Sequence, residues 1–120
     1  MLIARRAAAE VRDGDVLNVG FGVPDLVVGI LADQGRLGDV TIAIEQGLID
    51  GIPVSGDLFG AARGPKVMHA STTQFDLFSG GILDVSCLGM AQVDATGAVN
   101  VSKIAGRGDA AANAGDRCGG

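Results

Sequence analysis

The chain has 120 residues, 48% of them apolar but only 3% aromatic, and a formal net charge of -5. That balance fits one globular domain with an aliphatic core and excludes a disordered chain. It offers no basic stripe and no Trp or Tyr for base stacking, and no apolar run near the ~20 residues of a membrane span, so neither nucleic acid nor a membrane is an expected partner.

The opening Met1-Leu2-Ile3-Ala4-Arg5-Arg6 meets charge at once and lacks the apolar segment of a secretory signal. The two cysteines, Cys87 and Cys118, supply no disulfide framework and no metal spacing. A reduced, cytoplasmic protein is expected. Residues 2–11 read as a helix, with Ile3, Ala7 and Val11 on one face. Asp13-Gly14-Asp15 is a turn, and Val16-Leu17-Asn18-Val19 a strand. Gly20-Phe21-Gly22-Val23 is a glycine loop, and Pro24-Asp25 opens a helix running to about Asp33. Val40 to Ile44 is the second strand. This β-α-β order predicts parallel strands with a right-handed crossover, so the Gly20–Gly22 loop and Glu45 share one edge of the sheet. Ligands of open α/β sheets bind at that edge.

Residues 47–66, rich in Gly with Pro53 and Pro65, read as an extended loop. Lys66 to His69 is a third strand, and Thr72 to Phe78 a helix with a possible capping box from Ser71 to Gln74. Gly80-Gly81 ends it. Leu83 to Val93 is strand-like and pairs through the Asp94–Gly97 turn with Val99-Asn100-Val101. Residues 105–120 contain no Leu, Ile, Val, Phe or Met and read as a flexible tail, which puts the end of the ordered domain near residue 104. Glycine, at 20 of 120, far exceeds the usual ~7% and implies many tight turns and close backbone approaches.

Chemistry-bearing residues are few. The Gly20-Phe21-Gly22 loop departs from a dinucleotide fingerprint because position 25 is Asp, whose charge would repel a pyrophosphate. A plain tight turn, or a loop that lets a ligand pass close to the backbone, are the other readings. His69 is the only histidine, and neither Ser55 nor Ser71 sits in a nucleophile elbow, so a serine triad is a poor fit. A metal site is equally poor. Cys87, inside an apolar run, reads as an inert thiol. Glu45 remains: a solvated loop carboxylate on the bland reading, a nucleophile on the sharper one. An ordinary glutamate titrates near ~4.3 and needs no histidine to activate it. Carboxylate attack on an activated acyl group is an established covalent strategy.

Asn18-Val19-Gly20-Phe21-Gly22-Val23-Pro24 resembles the Gly-x-Gly-Ile-Pro loop of type I coenzyme A transferases. Ile44-Glu45-Gln46-Gly47 followed by Gly51-Ile52-Pro53 resembles their catalytic glutamate loop. Phe75 to Asp84 resembles their Gly-Gly-x-Leu-Asp segment, and Leu88 to Lys103 the hairpin after it. The nearest likeness is to bacterial acetate/propionate CoA-transferases, second half only, over about residues 2–104.

The resemblance implies an open, mostly parallel α/β sheet with helices on both faces, incomplete at its C-terminal end. It implies Glu45 as nucleophile, and CoA or substrate contacts at Gly20, Gly22, Gly47, Gly80 and Gly81. Coenzyme A would be a substrate, with no permanently bound cofactor and no metal. The partners would be an acyl-CoA, a short-chain carboxylate, and a complementary transferase half or a second copy of the chain. The chain lacks the family's first half and departs from the pattern after Lys103, as a fragment or truncated gene would. A non-catalytic remnant that keeps the fold is the rival reading.

Overall fold

A computed structural model describes residues 1–54, 56–102 and 104. The tail expected over 105–120 lies outside the described residues, as does Cys118. Contacts divide the chain into a unit from Met1 to Leu88 and a unit beginning at Gly89.

In the first unit α1 (Leu2–Ala8) precedes β1 (Val16–Val19), and α2 (Asp25–Asp33) precedes β2 (Thr41–Ile44). The first helix stops before its expected end at Val11. Glu10 and Val11 donate to carbonyls three residues back, and the Arg12 N–H turns to the Asp15 carboxylate at 2.8 Å. That tighter finish swings Val11 into the core, where it is 2% exposed. The second helix closes at Gly35 (φ 71°) in a Schellman motif: Gly35 N–H reaches Ala32, and Arg36 N–H reaches Leu31. The Arg36 guanidinium then clasps the Val11 carbonyl at 2.7 Å and Asp13 at 3.2 Å, which ties this helix end to the approach of β1.

Four short strands follow before the last helix: β3 (Leu48–Ile49), β4 (Ile52–Pro53), β5 (Ala62–Arg63) and β6 (Val67–Met68). The segment expected as a plain loop therefore holds three strands. Each is only two residues long and exists through its partner, so no local periodicity announces it. Then come α3 (Ser71–Ser79) and β7 (Val85–Cys87). The sheet order is β6-β3-β2-β1-β7, with β1 parallel to both β2 and β7 and with β3 antiparallel to β2 and β6. All strands except β3 thus run one way, which is the open, mostly parallel α/β architecture expected.

One face of the sheet is apolar. Leu17, Val19, Ile42 and Ile44 pack there against Ala4 and Ala8 of α1 and Val27, Val28 and Leu31 of α2. The β1-to-β2 crossover carries α2 on this face. The β6-to-β7 connection crosses the sheet in the opposite sense, so the same right-handed rule sends α3 to the other face. The expected capping box on α3 does not form. Ser71 is the first helical residue, and its hydroxyl turns away from the helix to the Glu45 carbonyl. The long strand expected over Leu83–Val93 is also cut short. The Gly20 N–H makes a 2.8 Å bond to the Cys87 carbonyl, after which β1's chain turns into α2 and leaves nothing to pair with.

The second unit contains a hairpin of β8 (Gln92–Val93) and β9 (Val99–Asn100). Asp94 organises its turn, accepting from the Thr96 hydroxyl at 2.7 Å, the Thr96 N–H at 2.8 Å and the Ala98 N–H at 3.0 Å. The Thr96 hydroxyl first, and the N–H groups after it, hold this carboxyl below the usual aspartate range. A depressed folded value contributes stability above the unfolded value of ~3.9 and loses it as pH falls through the folded value. The Val93–Val99 pairing should therefore persist from neutral pH to about pH 4 and fail below it. Following the Ala98 amide by NMR across an acid titration tests this, and Asp94→Ala should weaken the pairing at neutral pH and remove its acid dependence.

Candidate active site

Glu45 follows the last residue of β2, and its turn closes where the Gly47 N–H meets the Ile44 carbonyl at 2.9 Å. In a strand, alternate side chains share a face, so Glu45 continues the side of Ala43, away from the helical core. The parallel register sets Asn18 beside Ala43 on one flank and beside Ser86 on the other. From there the Asn18 Nδ2 group donates to Glu45 Oε1 and to Ser86 Oγ, each at 3.2 Å. Asn18 is only 3% exposed, while Glu45 is half-buried. A carboxylate accepts and cannot donate, so this carboxylate requires the amide to present its NH2 group. Both amide hydrogens are then committed, and Oδ1 is left buried with no partner among the described residues.

The backbone around Glu45 is held as firmly as its side chain. The Ser71 hydroxyl donates to the Glu45 carbonyl at 2.9 Å, and the His69 N–H donates to the Gly47 carbonyl at 2.9 Å. Gly47 has φ 100°, and a Cβ on it would stand 2.0 Å from the His69 carbonyl oxygen. His69 Nε2 contacts Gln74 Oε1, and Gln74 is fully buried. The amino end of α3 is thereby fastened to the Glu45 turn.

The expected site residues separate into two groups. Gly20, Gly22 and Gly47 stand at the carboxyl edge of the sheet with Glu45. Gly20 continues β1 against Cys87, and Gly22 (φ 88°) has open space where a side chain would be. Gly80 and Gly81 do not join them. They close α3 in a second Schellman motif, with Gly81 at φ 91°, its N–H on Phe78, and the Ile82 N–H on Leu77. The helix carries them roughly 13 Å from its start beside Glu45, at 1.5 Å per residue. Shortly beyond, Asp84 bonds both backbone groups of Val16, the first residue of β1. A glycine pair that resembles a ligand loop serves here to stop a helix at the opposite edge.

Sequence reasoning assigned no part in holding Glu45 to Asn18, Ser86 or Ser71. Asn18 did leave a signal, as a polar residue inside an apolar four-residue strand, where burial is costly unless hydrogen bonds compensate it. Among the described residues no cluster of His, Cys, Asp and Glu is placed to hold a metal ion. Burial pushes the Cys87 thiol up, which keeps it protonated and a weak nucleophile.

These features define an open α/β domain with an anchored carboxylate at the carboxyl edge of its sheet. Residues 1–106 match the family model described as Coenzyme A transferase, and the chain belongs to that family. It is 41% identical over 110 residues to the caffeate CoA-transferase of Acetobacterium woodii, covering 90% of this chain and 21% of that protein. It is 37% identical over 101 residues to the beta subunit of the acetate CoA-transferase of Escherichia coli K12, covering 77% of this chain and 45% of the subunit. Among solved structures, the acyl-CoA transferase YdiF of Escherichia coli O157:H7, in a thioester complex with CoA, superposes with a TM-score of 0.74 at 38% identity. That match covers 86% of this chain and 20% of YdiF, so the chain spans about one fifth of the length of such relatives.

The Gly47 contact yields a test. Gly47→Ala adds a Cβ against a backbone oxygen and imposes a left-handed conformation on alanine. Urea unfolding should show a loss of roughly 2 kcal/mol or more. Gly22→Ala, with free space around it, should lose only the conformational part, about 1 kcal/mol.

Proposed function

We propose that this chain carries the catalytic carboxylate of a CoA-transferase that moves coenzyme A between a short-chain acyl-CoA and a free carboxylate. Glu45, fixed on Asn18 at the carboxyl edge, is the observation that carries this reading. Membership of the CoA-transferase family supports it, as does likeness to a relative crystallised as a CoA thioester complex.

In this scheme a Glu45 carboxylate oxygen attacks the acyl-CoA carbonyl carbon. The C–S bond breaks, the sulfur leaves as CoA thiolate, and an acyl-glutamyl anhydride remains. The thiolate then attacks the glutamyl carbonyl carbon and expels the first acid as a free carboxylate, leaving a glutamyl-CoA thioester. A second carboxylate reverses both steps and departs as the new acyl-CoA, with Glu45 restored. The kinetics are ping-pong. No external base enters, because attacking and leaving groups are both anions. Asn18 is a positioning residue: its N–H keeps one carboxylate oxygen in place, and the Ser71 bond keeps the backbone beneath it from rotating. Gly20 and Gly22 let the ligand pass close to the edge, and Gly47 keeps the turn tight. Gly80 and Gly81 serve the helix end. A complementary transferase half supplies the rest of the site, in keeping with the one-fifth span and with likeness to a beta subunit. The half-buried free thiol of Cys87 suits a reducing, cytoplasmic setting.

Trapping tests the covalent step. Incubation with acyl-CoA, followed by hydroxylamine or borohydride, should modify one peptide, the one containing Glu45. Glu45→Gln should abolish the modification. Absence of label from the wild-type chain, alone and with a complementary half, would replace this reading with the non-catalytic remnant. Asn18→Ala removes the anchor without removing the nucleophile. Labelling at Glu45 should persist but slow on the order of 10²-fold, the cost of a misplaced reacting group.

A further inference from the structure

The glycine loop and the β4–β5 hairpin meet at the carboxyl edge through two aromatic rings. Phe21 and Phe59 lie edge to face, with centroids 5.3 Å apart and planes at 75°. The chain has only four Phe and no other aromatic ring of that kind, so half of its aromatic surface is invested here. Phe21 is nevertheless 62% exposed, and neighbouring Leu58 is 66% exposed. A solvated loop has no need of such side chains.

Both rings are fastened to the Glu45 turn from opposite directions. Extending the register that pairs Asn18 with Ala43 brings Gly20 level with Glu45, and Phe21 is the next residue. From the other direction, Gly60 (φ 95°) presses so closely on the residue after Glu45 that a Cβ there would stand 2.7 Å from the Gln46 side chain. Phe59 immediately precedes it. The hairpin tip is thus packed on Gln46, and the Phe21–Phe59 contact joins it to the glycine loop beside the Glu45 turn.

We propose that Phe21 and Phe59 form an apolar lip that takes the hydrocarbon chain of the acyl group while its carbonyl stands at Glu45, an inference that rests on the nucleophile reading above. Acetyl, propionyl and butyryl groups offer Glu45 the same carbonyl, so the anchored carboxylate cannot tell them apart. Selection among them falls to whatever surface meets the carbons beyond. An aromatic pair next to the Glu45 turn, one ring exposed and the other partly buried, favours propionyl and butyryl over acetyl, by about threefold in affinity for each added methylene.

The test reads the rings directly. The Glu45→Gln chain, which cannot turn over, is prepared with ring-labelled phenylalanine and titrated with free CoA, acetyl-CoA and butyryl-CoA. Phe21→Leu and Phe59→Leu assign the signals. Butyryl-CoA should move the Phe21 and Phe59 rings and leave Phe75 and Phe78 in place. Its affinity should exceed that of acetyl-CoA on the order of tenfold, and Phe21→Ser, which removes the apolar surface, should erase most of that gain. Equal movement with free CoA would overturn the proposal, because the pantetheine arm would then fill the lip. Equal affinity for the acetyl and butyryl thioesters would overturn it as well. The trapping experiment on the wild-type chain separates the two readings. Label at Glu45 with unmoved rings sinks the lip and spares the nucleophile. Moved rings without label overturn the nucleophile reading and, with it, the assignment of the lip to the acyl group of a reacting thioester.

Discussion

The hydrogen bond from Asn18 to Glu45 is possible only in one strand register. Asn18 lies in the middle of β1 and Glu45 just past the end of β2, and the pairing of Asn18 with Ala43 brings them within reach. A slip of one residue in either strand would turn Glu45 toward the helices or Asn18's apolar neighbours away from them. The apolar residues forbid that slip. Leu17, Val19, Ile42 and Ile44 all face α1 and α2, and reversing them would expose the core. Hydrophobic patterning therefore positions the carboxylate.

The opposite face is built around small and polar groups. Ala43 is fully buried beside Asn18. Its single methyl leaves the amide a clear line to the Glu45 carboxylate along the diagonal of the sheet, where a larger residue would stand between them. Ser86 completes the row and takes the amide's second hydrogen. The amide is thus oriented from both flanks, and its own burial keeps it from exchanging partners with water. The cost is an unmatched Asn18 Oδ1 among the described residues. A site that accepts such a cost is specified for geometry more than for stability.

What could be read in advance follows from the same division. The strands β1 and β2, the helix α2 and their shared carboxyl edge were legible because each has its own periodicity and its own stop signals. Pro24 and Asp25 open α2, and Gly35 closes it. The chain between Gly47 and Lys66 was illegible because β3, β4 and β5 are two residues long and owe their form to partners distant in sequence. Glu45 was legible as a charge beside an apolar strand. Its anchor was less so, since nothing in a sequence tells which neighbour a buried asparagine will face until the register is known. Gly80-Gly81 was ambiguous for a complementary reason. A Gly-Gly step looks the same whether it admits a ligand or ends a helix, and only the hydrogen bonds to Leu77 and Phe78 decide.

Part of the glycine excess gathers in one place. Gly22, Gly47 and Gly60 take positive φ on or next to the edge that carries Glu45. Asp50, the one non-glycine with positive φ among the described residues, stands instead with Gly51 (φ 88°) toward the amino end of β2, its N–H on the Ile42 carbonyl, and Lys66 lies 3.0 Å from its carboxylate. Little in this stretch is favoured locally. At Gly47, Gly51 and Gly60 a side chain would collide with backbone or with Gln46, so the missing Cβ is what allows the loops to close on one another. The apolar face is held by burial, whereas the edge that carries Glu45 is held by the loops that the face brings together. An edge assembled in this way gains its rigidity from contacts between loops, and the Glu45 turn, held at Ser71, His69 and Gln46, is the point where those contacts converge.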